Sequence, residues 1–383
     1  MTLRNAVYIL IFALSVAAAF ALDNPYGRMP LYILISLVLL SFCYALYVYN
    51  AFRFFENKSE RTCTRGTVFH YRLHLANDAR ILFTHIRVVV FTGGEEIAKD
   101  FSLMPEKSED YETDFLFRHI GIYDVGFLTA KIYDFLDIFS IRYQNYRYPV
   151  VVEPRIEKLE HLLAAKADDD PRMNTAFSRL KAESSGVYDG VREYIPGDSQ
   201  RMIHWKLSDH TGKYMSRINR NTDSFMVSIY VDLYPTGLER EQALCVFDGL
   251  IETALAVANY GLERKCGAEF VYSSAGRIIV SDVADSAALR VLARKFALNS
   301  SSADFRVEEL FHNNRQLRQS YDNVAVCTSN LSYDLVYYIA EMKNMGKNPM
   351  LFYIVPQVQG FADKGVMLEY LANRGIAVNF VHV

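Results

Sequence analysis

The sequence lacks most of what marks a catalytic or metal-binding protein. Its five cysteines (Cys43, Cys63, Cys245, Cys266 and Cys327) are scattered and odd in number, with no Cys-x-x-Cys and no Cys/His cluster. That argues against a zinc site or a disulfide framework and fits a reducing compartment. The net charge of only -3 excludes the basic footprint of a nucleic-acid-binding chain. There is no G-x-S-x-G, no H-E-x-x-H and no phosphate-cradling glycine loop. Internal repeats and low-complexity tracts are also missing. What is abundant is aromatic: 26 Tyr and 25 Phe against one Trp, enough for large β-rich cores. A length of 383 residues suggests two or three domains.

Two runs carry no charge at all. Residues 6–22 and 31–49 hold 17 and 19 residues respectively, close to the roughly 20 that cross a bilayer core. DNPYGRMP between them contains two prolines and a glycine and reads as a short turn. Arg4 precedes the first run; Arg53, Lys58, Arg61 and Arg65 follow the second; the connecting loop has only Arg28, offset by Asp23. The positive-inside rule then predicts a two-pass hairpin in the cytoplasmic (inner) cell membrane with both termini cytoplasmic. The alternative is a cleaved signal peptide ending near AAAFAL, which still leaves the second span. Ala17, Ala18, Ala19 and Ala21 would permit close helix packing in the first span.

The remainder divides by rhythm. Residues 56–155 read as short strands. In GTVFHYRLHLAN, Phe69, Tyr71, Leu73 and Leu75 alternate with Val68, His70, Arg72 and His74, the pattern of an antiparallel β-sandwich. His70, His74 and His85 read as surface or edge residues. Residues 156–224 form a linker, with the acidic DDDPRMNTAF at 168–177, followed by a charged segment. From 225 to 383 strands alternate with helices: a doubly wound α/β domain with a mainly parallel sheet. The helices are expected over EREQALCVFDGLIETALAVANYGLE, SAALRVLARKFAL, YDLVYYIAEMKNMG and GFADKGVMLEYLANRG.

Between the domains lies GVYDGVREYIPGDSQRMIHWKLSDHTGKYMSRINR (186–220). Pro196-Gly197-Asp198 is a turn. The spacing from Asp198 through Arg201 to Trp205 predicts a helical turn capped by Asp198 or Ser199, and Arg217 and Arg220 follow on a strand. The run Arg192, Glu193, Tyr194, Pro196, Gly197, Asp198, Arg201, Ile203, Trp205, Lys206, then Thr211, Gly212 and Lys213, resembles the signature of the domain of unknown function 58 family. RHIGIYDVGFLTAKIYDFLDIFSIRY resembles a further stretch of that family, with Ile120 before Gly121 and Leu136-Asp137-Ile138-Phe139 as departures, and VVVEPRI resembles its Tyr-Pro element. With the two spans, the resemblance covers nearly the whole chain. It implies a von Willebrand factor A-like C-terminal half. It also implies work beside MoxR-type AAA+ ATPases and transglutaminase-like membrane proteins.

The resemblance brings a metal question with it. Von Willebrand A domains often hold a divalent ion through Asp-x-Ser-x-Ser at the end of the first strand. Here Asp232 stands first, while Tyr234 and Thr236 take the serine positions, so the pattern is degenerate. A divalent cation held by Asp232 and Thr236 is the one cofactor the pattern admits; the other reading has Asp232 capping a helix or accepting loop amides. Asp198, His204, Asp209 and His210 could form an acid-base set, but no nucleophile stands at diagnostic spacing. The segment around Arg192, Arg201, Trp205 and Lys206 is therefore a salt-bridged domain junction or a partner-binding surface. The expected function is a non-enzymatic, membrane-anchored scaffold or adaptor that touches membrane lipid and binds an AAA+ ATPase and envelope-biogenesis proteins. The alternatives are a metal-dependent adhesion module and a hydrolase centred on 186–220.

Overall fold

The structure is a computed structural model that describes residues 3–21, 25–58, 61–164, 188–194, 204–219, 227–235, 237–264, 267–299, 304–313, 323–356 and 364–383. It divides into two compact units. The first is Met1–Arg118 with Ile122–Val152; the second is His119–Gly121 with Glu153–Val383.

The first unit opens with two apolar helices, α1 (Leu3–Ala21) and α2 (Pro25–Ala51). Tyr26–Ala51 is long and apolar enough to cross a membrane; the apolar part of α1, Val7–Ala21, is shorter. The turn expected at 23–30 is not what forms, because α2 begins at Pro25 and runs through Pro30. Proline suits the first helical position, where its missing N–H would be unpaired anyway. Pro30 forfeits only one bond, near the helix start.

Two antiparallel sheets follow. One has the order β1 (Phe52–Glu56), β3 (Val68–Asn77), β6 (Ser108–Leu116). The other runs β2 (Thr62–Thr64), β9 (Tyr148–Glu153), β7 (Gly121–Tyr133), β4 (Phe83–Thr92), β5 (Glu96–Leu103), with β8 (Ser140–Gln144) also paired to β7. The period-2 pattern of β3 does what it predicts. Phe69, Tyr71, Leu73 and Leu75 enter one core with Ile86, Val88, Val90 and Phe127 of the facing sheet. His70, Arg72 and His74 point away and meet Asp114, Glu112 and Asp110 across the strand pair at 2.8, 2.7 and 2.6 Å. The Glu56 carboxyl is buried in this core. Glu56 accepts from the Tyr71 hydroxyl at 2.6 Å and the Phe127 amide at 2.8 Å. Residue 126 must be glycine, since φ is +136° and a Cβ there would lie 2.8 Å from Glu56 Oε1.

The last turns of α2 are built into the same unit. Val48 belongs to the sandwich core, as does Phe52, where β1 begins. The Tyr44 hydroxyl donates to the Leu82 carbonyl at 2.6 Å, and Ser41 Oγ donates to the Asp134 carboxylate.

The second unit holds a six-stranded mixed sheet. Its order is β14 (Arg277–Val283), β13 (Ala268–Ser274), β12 (Val227–Val231), β15 (Asn323–Thr328), β16 (Asn348–Val355), β17 (Ala377–His382). The five strands from β13 to β17 pair in parallel; the edge strand β14 is antiparallel to β13. The helices are α3 (Leu159–Ala164), α4 (Trp205–Thr211), α5 (Arg240–Glu263), α6 (Ser286–Leu298), α7 (Val307–Asn313), α8 (Tyr333–Asn344) and α9 (Gly365–Asn373). α7, α8 and α9 share a core with Tyr230, Val324, Val326 and Leu351 on one face of the sheet. Every residue of β12, β13 and β15 is buried, as a sheet covered on both faces requires. α5 is long and apolar enough to pass for a span, but it is mostly buried as the central core helix. Among the elements that were not anticipated are β14, turned back from β13 through Ala275 and Gly276 at φ +49° and +70°, and the seven-residue α7.

Within 156–224, α3, β10 (Tyr188–Glu193), α4 and β11 (Met215–Asn219) are described, while the acidic stretch at 168–177 lies outside the described residues.

Candidate functional site

Strand order locates the first candidate. β12 comes first in the chain; β13 and β14 are added on one side and β15 onwards on the other. The order reverses between β12 and β15, and ligands of open α/β sheets bind outside the carboxyl ends of the strands at such a point. Asp232 follows β12 there, and Thr328 ends β15.

Asp232 is 1% exposed. One of its oxygens accepts from the Thr328 hydroxyl at 2.6 Å and the other from the Tyr234 amide at 3.3 Å. Thr328 Oγ1 in turn accepts from the Asn330 amide at 2.9 Å, and Asn330 Nδ2 donates to the Tyr234 carbonyl at 3.4 Å. Burial is the main force on the Asp232 carboxyl and pushes its pKa up to about 6; the Thr328 and Tyr234 hydrogen bonds oppose the rise, and the negative charge of Glu308 adds to it. Ser332 caps α8 by accepting from the Leu335 amide at 3.0 Å and donates its hydroxyl proton to Glu308. Ser329 Oγ is buried at this lip with no hydrogen-bond partner among the described residues. The crevice thus offers one carboxyl that titrates close to neutrality, one uncommitted hydroxyl and an amide side chain. Such a set can hold a polar ligand group. It is thin for a hard cation: both Asp232 oxygens already accept from the protein, and no group of three His, Cys, Asp or Glu among the described residues is arranged to hold a metal ion. Thr236, the second expected ligand, lies outside the described residues.

The second candidate is the charged segment. β10 and β11 form an antiparallel ribbon that pairs Arg192 with Ser216 and Glu193 with Met215. α4 sits beside it. Its cap is His204, whose Nδ1 accepts from the Leu207 amide at 3.3 Å; the turn expected to be capped by Asp198 or Ser199 falls outside the described residues. The helix is short, and the nearest side chain able to accept from its first amides takes the role. Gly212 ends it at φ +65°, the left-handed conformation of a helix C-terminus. Ser208 Oγ donates to the His204 carbonyl and accepts from the Met215 amide at 2.8 Å, tying helix to ribbon. Trp205 is 63% exposed and meets the equally open Tyr214 edge-on at 6.2 Å; Tyr194 meets Tyr214 at 6.5 Å. Lys206 is exposed, and Lys213 pairs with Glu193 at 2.7 Å. Tyr194, Trp205, Lys206 and Gly212 therefore gather at one end of the ribbon. Pro196, Gly197, Asp198 and Arg201 lie outside the described residues.

Sequence reasoning missed two features. One is the hydroxyl-rich run Thr328-Ser329-Asn330, whose signal was its place at the end of a buried strand. The other is a buried polar group in the second unit. His119 Nδ1 meets Asp248 Oδ2 at 2.7 Å, its Nε2 meets Glu241 Oε1 at 3.2 Å, and the Ile120 amide donates to Asp248 Oδ1 at 3.0 Å. An aspartate within the apolar face of α5 was the signal there.

No family model matches the chain. No curated protein matches it either. Among solved structures, a β-glucosidase from Listeria innocua is 10% identical with a TM-score of 0.19, over 26% of this chain and 16% of that one. A CARDB domain from Pyrococcus furiosus is 16% identical with a TM-score of 0.21, over 27% of this chain and 90% of that one. Spo0M, a sporulation control protein from Bacillus subtilis, is 10% identical with a TM-score of 0.17, over 38% and 58%. At these scores neither fold nor function transfers.

Proposed function

We propose that the chain is a membrane-anchored scaffold or adaptor of the domain of unknown function 58 type, whose α/β unit is von Willebrand A-like and binds partner proteins. The observation that carries this reading is aromatic. Tyr333 and Tyr337, one helical turn apart on α8, are 73% and 66% exposed, and α8 starts at the lip of the switch-point crevice. Open tyrosines on a rigid helix, and the exposed Trp205 and Tyr214 pair, are the residue types that dominate binding energy at protein interfaces. The antiparallel edge strand beside a parallel run supports the von Willebrand A-like reading. The excess of basic residues after the second helix supports a cytoplasmic body. The partners proposed are a MoxR-type AAA+ ATPase and transglutaminase-like envelope-biogenesis proteins.

The test compares detergent pull-downs of the full-length protein with Tyr333→Ala/Tyr337→Ala and Arg192→Ala/Trp205→Ala variants that keep the native melting temperature. Loss of an AAA+ ATPase from either variant locates the docking surface. Recovery with both would remove these faces from the reading, and recovery with none, native protein included, would sink it.

Ser329 and the Asp232 carboxyl favour one second reading, a divalent-cation module at the switch point. It requires Thr328 to turn its hydroxyl proton away from Asp232. It predicts that millimolar Mg²⁺ or Mn²⁺ raises the melting temperature of the native protein and not that of Asp232→Asn. Equal responses would end it.

A further inference from the structure

The loop from Asp134 to Phe139, between β7 and β8, lies alongside α2 rather than beyond its end. Phe139 meets Phe42 at 5.6 Å and Phe135 meets Tyr44 at 5.5 Å, both edge-on. Further along, Tyr143 of β8 meets Tyr49 at 6.1 Å. β8 therefore runs along α2 in the direction of the helix C-terminus, and the loop is the part of the sandwich nearest the middle of the helix.

The charge-free part of α2 fixes where that middle lies. From Met29, just after Arg28, to Tyr49 there is no Asp, Glu, Lys, Arg or His. At 1.5 Å per residue this stretch spans about 30 Å, the thickness of a bilayer hydrocarbon core. Phe42 is seven residues back from Tyr49 and Tyr44 five, so they sit about 10 and 8 Å inside that core. The two phenylalanines packed on them lie at the same depth. A cleft of about 320 Å³ lined by Phe12, Ile35, Val38, Leu39, Phe42 and Phe139 opens beside them, wholly apolar in its side chains.

The loop is built for such a medium. Its apolar residues Phe135, Leu136, Ile138 and Phe139 all keep exposed or partly exposed surface. Its two carboxylates turn inward: Asp134 accepts from Ser41 Oγ, and Asp137 lies 3.4 Å from His85 Nδ1. Four of its six backbone amides are satisfied internally. Asp134 N donates to the Phe139 carbonyl at 3.3 Å, Asp137 N to the Asp134 carbonyl at 3.1 Å, and Leu136 N and Phe139 N to the Asp134 carboxylate at 3.3 and 2.8 Å. Hydrocarbon supplies no hydrogen bonds, so irregular backbone can enter it only when paired in this way.

We propose that the Asp134–Phe139 loop is inserted among the acyl chains of the leaflet next to the sandwich, as a second, monotopic membrane contact beside α2. The proposal rests on α2 spanning the membrane. The occupant of the cleft is lipid acyl chain, chosen because the cleft faces the charge-free length of the helix.

The full-length protein in a Trp205→Phe background, reconstituted into vesicles of phosphatidylcholine brominated midway along its acyl chains, tests this. Single-tryptophan probes are Phe135→Trp and Phe139→Trp in the loop, Leu39→Trp on α2, and Tyr146→Trp beyond the far end of β8. Either loop probe should lose emission as strongly as Leu39→Trp, while Tyr146→Trp keeps its own; two loop positions guard against one failing to fold. Loop probes as bright as Tyr146→Trp beside a quenched Leu39→Trp overturn the insertion and leave the span intact. An unquenched Leu39→Trp instead removes the span, and the insertion with it.

Discussion

Replacing Asp232 with asparagine should make stability independent of pH where the native protein loses it. In the folded state burial holds the Asp232 carboxyl at about 6, against an ordinary value of 3.8. The folded protein therefore binds this proton more tightly than the unfolded chain. Below about pH 4 both states are protonated and nothing is lost. As pH rises from about 4 to 6 the unfolded chain ionises first and stability falls; above about 6 the loss is complete. A displacement of about two pK units corresponds to about 3 kcal/mol at most. Asparagine keeps an acceptor for the Tyr234 amide. Its amide can donate to Thr328 Oγ1, which then turns its own proton to the Asn330 carbonyl 3.1 Å away. The Asp232→Asn variant should match the native protein at pH 4 and exceed it at pH 8 by up to about 3 kcal/mol, or roughly 6–12 °C in melting temperature for a unit of this size. Thermal unfolding of the full-length protein in detergent, followed by circular dichroism from pH 4 to 8, measures it. A native-minus-variant difference that stays constant across that range would refute the account of Asp232.

Two further substitutions probe the cores. At Gly249 a Cβ would overlap Val383 Cγ1 and lie 3.3 Å from Ile354 Cγ2, so Gly249→Ala should cost about 1–3 kcal/mol; adding Val383→Ala should recover much of it in the same melts. Tyr71→Phe removes the 2.6 Å donor to Glu56 and should cost about 1–3 kcal/mol in chemical denaturation, since a buried carboxylate loses one of its partners; a neutral result would show that Glu56 is solvated after all.

Legibility in the sequence followed the range of the interactions. The alternation in β3 and the strand-helix rhythm after residue 225 are local, and both appear where the pattern puts them. What went unread is either too short to show a period or non-local. The seven residues of α7 fill barely two turns. β14 hides because its turn places Ala275, rather than asparagine or a second glycine, at positive φ. Pro25 and Pro30 read as helix breakers in isolation, yet one stands where a helix start tolerates it. The switch-point crevice depends on strand order, which no single segment carries. His119 and Asp248 are 129 positions apart, and nothing near either residue names the other.

That last pairing bears on how the chain can be cut and made. Residues 119–121 belong with the α/β unit although the strands on either side of them belong to the first unit. No single cleavage point separates the two. A soluble fragment starting at 153, the natural choice for removing the helices and the sandwich, would discard His119 and the Ile120 amide and with them two hydrogen bonds to an aspartate that is 0% exposed. During synthesis the same geometry imposes a wait. His119 leaves the ribosome well before α5 exists, and the second unit cannot close until its earliest three residues are met by a helix translated more than a hundred residues later.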